Sequence, residues 1–201
     1  MNDILSYLPV LGIFLVSLTV HEYAHAWTAY RFGDDTAKRM GRLSLNPIVH
    51  ISLLGTVIMP FLVKFGWAKP VPVNFSVLNK KQVFLVAAAG PLSNIIIAII
   101  LIVAFHILPL HSMPLLEDIV LMAVFYNLFL AMFNLFPIPP LDGSKMVYAS
   151  LKSQKAIEAY RQFAQFGIFI LIAFLYFGGF RKIILPMIGW LFKLFGLSLS
   201  N

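Results

Sequence analysis

VFLVAAAGPLSNIIIAIILIVAFHILPLHSMPLL, residues 83–116, contains no Asp, Glu, Lys or Arg. A membrane-spanning helix needs about 20 mostly apolar residues, and this run is long enough to supply one. Four further uncharged stretches flank it: Ile4–Val20, Leu43–Val63, Ile119–Leu141 and Gln162–Phe180. A shorter one, Ile183–Phe192, ends at Lys193 and suits either a span or the interface. The whole composition agrees. Hydrophobic residues make up 60% of the 201 and charged residues 11%, against roughly 45–50% and about 25% in ordinary soluble domains. This excludes a disordered chain. With no Cys, disulfides, thiolate metal ligands and a cysteine nucleophile are excluded too. The net charge is +7, but the cations sit between apolar runs rather than in a stripe, which speaks for a lipid bilayer and against nucleic acid.

Loop charge predicts the orientation. Arg31, Lys38, Arg39 and Arg42 lie in 31–42, and Lys64, Lys69, Lys80 and Lys81 in 64–81. Both loops are expected on the cytoplasmic side. The stretch 43–63 between them, broken by Pro47, Gly55 and Pro60, then dips in and returns as a re-entrant segment. Residues 109–118 carry only Glu117 and Asp118 and are expected outside. Lys145, Lys152, Lys155 and Arg161 bring the chain back to the cytoplasm. The fold class expected is an all-α polytopic membrane protein. It has four to five transmembrane helices, plus the re-entrant segment with a short β-strand element. Residues 1–201 form one integral-membrane domain, with core motifs in 21–143 and C-terminal helices in 161–198.

His21-Glu22-Tyr23-Ala24-His25 is the chemical centre of the sequence. On a helix, positions i and i+4 share a face, so two imidazoles can grip one metal ion, with the Glu beside them to take a proton from metal-bound water. Ionisable groups at membrane depth cost about 2.5–3.5 kcal/mol even on lenient scales, so they need a reason to be there. A catalytic zinc takes three protein ligands. Six of the eight acids fall outside the apolar runs or at their flanks: Asp3, Asp34, Asp35, Glu117, Asp118 and Glu158. With Glu22 assigned as base, Asp142 remains, at the same cytoplasmic depth as His21 and His25. An N-cap role for Asp142 stays open. His50 suits either the metal or a backbone hydrogen bond, while His106 and His111 lie towards the outside. Asn94 and Asn134 suit either hydrogen bonding across helices or donation to a substrate carbonyl.

These residues resemble the site-2 protease family of intramembrane zinc metalloproteases. Three motifs carry the resemblance in order: His21-Glu22-x-x-His25, then Ala89-Gly90-Pro91-x-x-Asn94, then Asn134-x-x-Pro137 with Leu141-Asp142-Gly143. The pattern is that of the minimal branch, without PDZ or CBS domains. The resemblance implies one Zn2+ per chain held by His21, His25 and Asp142, with Glu22 as catalytic acid and base. It also implies cleavage of transmembrane protein substrates close to the cytoplasmic side. The expected location is the cell membrane of a prokaryote, multi-pass, with the active site towards the cytoplasm. An acidic residue is expected soon after His50 in that branch, whereas Ser52 and Leu53 follow Ile51 here.

Arg42–Asn46 and Pro70–Phe75 alternate like strands. Pro demotes the second to an edge, where Val71 and Val73 would hold an extended substrate by strand addition. A plain connector is the alternative. Two other functions compete with peptide hydrolysis: a membrane metal-ion transporter, and a non-catalytic metal-binding scaffold. A transporter calls for ligands along a route and paired half-sites, and a structural zinc site for four protein ligands.

Overall fold

The computed structural model describes residues 2–52 and 69–197. Its long elements are helices: α1 (Asn2–Arg31), α2 (Thr36–Arg39), α3 (Lys80–Ile107), α4 (Pro114–Asn134), α5 (Asp142–Ser150), α6 (Gln154–Gln165), α7 (Gly167–Tyr176) and α8 (Leu185–Leu194). Short helical turns at Pro47–His50, Phe75–Val77, Leu110–Ser112 and Phe180–Ile184 join them.

The helix starts follow local chemistry. Asn79 and Gln82 close a capping box at the head of α3: the Asn79 side chain accepts from Gln82 N–H at 3.0 Å, and Asn79 N–H donates to Gln82 Oε1 at 2.9 Å. Pro114 opens α4, where its missing N–H costs nothing. Ser153 caps α6 by accepting from Ala156 N–H.

α3 is the central element and packs against α1, α4 and α5. The largest core joins Ala98, Ile102 and Phe105 of α3 to Leu121, Val124 and Leu128 of α4, and to Ile184, Ile188 and Phe192 at the C-terminal end. Ile99, Ile100, Val103, Phe169, Ile172 and Trp190 point outward and are exposed. Apolar residues on both the inside and the outside are what a bilayer-facing bundle requires.

Among the described residues, α3 and α4 are each long and apolar enough to cross a membrane. α6 and α7, bent by 60° at Phe166, make a third span if the pair is one crossing. Two to three candidate spans is fewer than the four to five the sequence led us to expect. α1 has 30 residues and is not among these candidates. α8 has only 10 residues, short of the 20 or so a crossing needs. The re-entrant segment falls outside the described residues from Leu53 onward.

The expected strand element is corrected. No strand occurs among the described residues, and both Arg42–Asn46 and Pro70–Asn74 are irregular. The reason lies in where their backbone groups go. Pro70 and Pro72 have no N–H to offer a ladder. Val71 N–H donates to Glu22, Asn74 N–H to Asp34, and Arg42 Nη2 donates to the Lys69 and Pro70 carbonyls. In the first segment, Asn46 N–H turns back to Ser44 Oγ. Side chains satisfy these backbones instead of a neighbouring strand.

Candidate metal centre

Ser17, His21 and His25 are spaced four apart along α1, so they share the face turned to α3. Across from them, α3 presents Gly90 and Asn94. A Cβ placed on Gly90 would lie 2.6 Å from His21 Nε2 and closer still to His25 Nε2. Only a glycine lets the two helices approach here. Asp142 enters from the start of α5. Its neighbour Gly143 is equally constrained, since a Cβ there would strike the Leu135 carbonyl at the end of α4. The close fit of these two glycines gives a packing reason for both glycine-bearing motifs.

The three side chains converge. His21 Nε2 lies 3.1 Å from Asp142 Oδ2, His25 Nε2 lies 3.0 Å from the same oxygen, and the two Nε2 atoms are 3.1 Å apart. Among the described residues, this is a group of three whose ligand atoms could hold one metal ion. All three residues are buried. The sides of this triangle are near the ~3.3 Å separating ligands around a tetrahedral zinc with bonds of about 2.0–2.1 Å. Two imidazoles and one carboxylate are also a donor set that zinc takes in hydrolytic sites. The residues fit the ion.

Each of the three side chains is held from behind. His21 Nδ1–H donates to Asn94 Oδ1 at 2.6 Å, and His25 Nδ1–H donates to the Val86 carbonyl at 2.6 Å. Both acceptors fix the proton on Nδ1 and turn the Nε2 lone pair inward. Lys145 Nζ donates to Asp142 Oδ1 at 2.8 Å, which leaves Oδ2 facing the imidazoles. Glu22 is 9% exposed, beside the group, and its Oε2 accepts Val71 N–H at 2.8 Å.

The sequence candidates divide. The structure brings together His21, His25, Asp142 and Glu22. Asn94 is at the centre but fully buried, and its amide is committed to His21, Asn127 and Ser17. These bonds are the hydrogen bonding across helices that the sequence offered as one of its two alternatives. Asn134 Nδ2–H donates to the Leu130 carbonyl of its own helix and does not join the group. His50 donates from Nε2 to the Ser44 carbonyl at 2.8 Å, the backbone alternative. His106 and His111 bond to the Phe195 carbonyl and to Glu117, away from the centre. Val71 reaches the site through its N–H. Val73 is partly buried and packs against the small apolar cluster of Ala29, Leu78, Val83, Val86 and Ala149. Ser17, Lys145 and Asn127 were missed by the sequence reading. An Asn inside the uncharged run Ile119–Leu141 was the available signal for Asn127.

The sequence profile of Peptidase family M50 matches residues 9–120 and 109–178. The chain belongs to that family. The resemblance to site-2 proteases is thereby borne out, and M50 membership places the motif residues in a peptidase family. YwhC of Bacillus subtilis strain 168, assigned by name as a zinc metalloprotease, is 44% identical over 153 residues, covering 71% of this chain and 69% of that protein. Rip2 of Mycobacterium tuberculosis H37Rv, with the same assignment, is 33% identical over 208 residues, covering 96% of this chain and 76% of Rip2. Zinc metalloprotease MJ0392 of Methanocaldococcus jannaschii is 25% identical over 199 residues, covering 98% of this chain and 50% of that protein. These names bear out the expectation of a zinc metalloprotease. No solved structure matches the chain.

Proposed function

We propose that this M50 peptidase is a zinc-dependent intramembrane endopeptidase. It hydrolyses peptide bonds in or near transmembrane segments of other membrane proteins, close to the cytoplasmic face of a prokaryotic cell membrane. One observation carries the reading: His21, His25 and Asp142 converge on one point inside an apolar helical bundle, with Glu22 alongside. Depth supports it as well. Gly90 lies ten residues along α3 from Lys80, or roughly 15 Å at 1.5 Å per residue. That rise is an upper limit on depth, since a tilted helix gains less, so the centre lies within the cytoplasmic half of a hydrocarbon core about 30 Å thick. The span set in this reading is α1, α3, α4 and the bent α6–α7 pair, with α8 crossing or lying in the interface.

His21 Nε2, His25 Nε2 and Asp142 Oδ2 would hold the ion, with Asn94, Val86 and Lys145 orienting them. A bound zinc supplies a Lewis acid for the scissile carbonyl and lowers the pKa of its water to about 7. Glu22 carries the proton. One of its oxygens is fixed by Val71 N–H, and the other takes a proton from the attacking water and delivers it to the leaving amine. Segment 70–74 lies next to Glu22 through that contact. Val71 and Val73 are the proposed substrate neighbours along it. The transporter and scaffold alternatives lack support: a route of ligands and a fourth protein ligand are both missing among the described residues.

The test compares membrane proteomes of cells carrying wild type and Glu22→Gln. Uncut membrane proteins should accumulate with the variant. If none does, while the wild-type protein purifies with zinc, a scaffold function replaces the peptidase.

A further inference from the structure

Two buried side chains behind the metal centre have no place in the mechanism above: Ser17, 3% exposed, and Asn127, 1% exposed. Asn127 belongs to none of the three motifs. It sits on α4, faces α1 and α3, and completes a closed set of hydrogen bonds with Asn94, which is 0% exposed. Asn94 Nδ2 donates to Asn127 Oδ1 at 2.9 Å and to the Ser17 carbonyl at 3.2 Å. Asn127 Nδ2 donates to Ser17 Oγ at 2.9 Å and to the Ala123 carbonyl at 2.8 Å.

The direction of every bond in this set is dictated. A backbone carbonyl can only accept. The Ala123 carbonyl therefore requires the nitrogen of Asn127 to face it, which turns Oδ1 of Asn127 towards Asn94. An oxygen there, together with the Ser17 carbonyl, requires the nitrogen of Asn94. Oδ1 of Asn94 is then left for His21, and an acceptor at 2.6 Å requires His21 to carry its proton on Nδ1. Nε2 is thereby deprotonated and available to a cation. Reversing Asn127 would place oxygen against oxygen at Ala123. Reversing Asn94 would set its amide hydrogens against His21 Nδ1–H. Ser17, Asn94 and Asn127 are all buried, so neither arrangement is compensated at the surface, and an unpaired buried polar group costs about 1–3 kcal/mol.

We infer that Asn127 is a positioning residue for the metal centre: acting through Asn94, it fixes the tautomer and ring orientation of His21. The inference rests on the reading of His21, His25 and Asp142 as metal ligands. Asn127 touches neither metal nor substrate, and α4 contributes to the metal centre through this amide. It also gives α1, α3 and α4 a shared polar anchor one helical turn from His21, so their relative rotation and the ligand geometry are set together.

Zinc affinity tests this, measured by chelator competition on the purified full chain in detergent for wild type, His25→Ala, Asn94→Leu, Asn127→Leu and the Asn94→Leu/Asn127→Leu double variant. Wild type should bind zinc and His25→Ala should lose it. Asn127→Leu should bind about ten- to a hundredfold more weakly, in the range of other lost ligand-orienting partners. Because Asn127 acts through Asn94, the double variant should bind no more weakly than Asn94→Leu alone. Asn127→Ala, which introduces no bulk, carries the same expectation should the leucine variant fail to fold. Wild-type affinity in the Asn127 variants overturns the inference. So do effects that multiply in the double variant, because they would make Asn127 a general packing residue. Zinc binding retained by His25→Ala, or absent from wild type, overturns the ligand assignment itself and the inference with it.

Discussion

Val71 N–H lies 2.8 Å from Glu22 Oε2, although the two residues are 49 positions apart. The carboxylate of the H-E-x-x-H motif is thus aimed by an irregular segment that is itself tied down. Arg42 holds the Lys69 and Pro70 carbonyls, and Asp34 holds Asn74 N–H. Chemistry assigned to α1 depends on a loop that α1 does not contain.

Glu22→Gln should lower peptide cleavage by about 10²–10⁴-fold, the usual contribution of a general acid–base group. Gln keeps an oxygen for Val71 N–H and is not a ligand in our assignment, so zinc content should stay at the wild-type level. Metal analysis beside a cleavage assay checks both. Loss of zinc would make Glu22 a ligand.

Asp142→Asn should weaken zinc binding strongly, and Asp118→Asn should not. Lys145→Met should have an intermediate effect of about tenfold, since it frees Asp142 Oδ1 without removing the ligand. Chelator competition ranks the three. Equal affinity in Asp142→Asn and wild type would place the third ligand elsewhere.

Gly90→Ala should abolish zinc binding while leaving the helices formed. The added Cβ meets the metal-facing nitrogens of both imidazoles, and a packed helix pair cannot separate for one methyl group without cost. Circular dichroism and metal content distinguish this local clash from unfolding.

Asp34 links acid stability to the same loop. Burial pushes its carboxyl pKa up, but hydrogen bonds from Thr36 N–H at 3.0 Å and Asn74 N–H at 2.7 Å outweigh that and hold it below the usual carboxylate range. A folded-state pKa below the unfolded value stabilises the protein above the unfolded pKa of about 3.9, and that stability is lost as pH falls through the folded value. Asp34→Asn should flatten the loss of thermal stability below about pH 4. It should also reduce cleavage with zinc retained, because Val71 is then less firmly placed.

The helix period made His21 and His25 legible, because two residues four apart need no tertiary information to share a face. Asp142 followed from elimination, since few acids exist at that depth. The long uncharged runs gave α3 and α4. The strands were misread because apolar alternation at Pro70–Phe75 was produced by prolines, and the partners of that backbone are side chains from Glu22, Asp34 and Arg42. Such partners are set by tertiary contact and leave no periodic trace. Asn127 escaped for a different reason: one amide inside an apolar run looks the same whether it faces a neighbouring helix at random or completes a hydrogen-bond chain to a ligand.

Asp142 meets His21 and His25 across 121 and 117 positions of sequence. A nascent chain that has inserted only α1 to α4 already carries both imidazoles, yet lacks the third ligand. The cluster of His21, His25 and Asp142 is therefore a product of tertiary docking, complete only once α5 packs against α3.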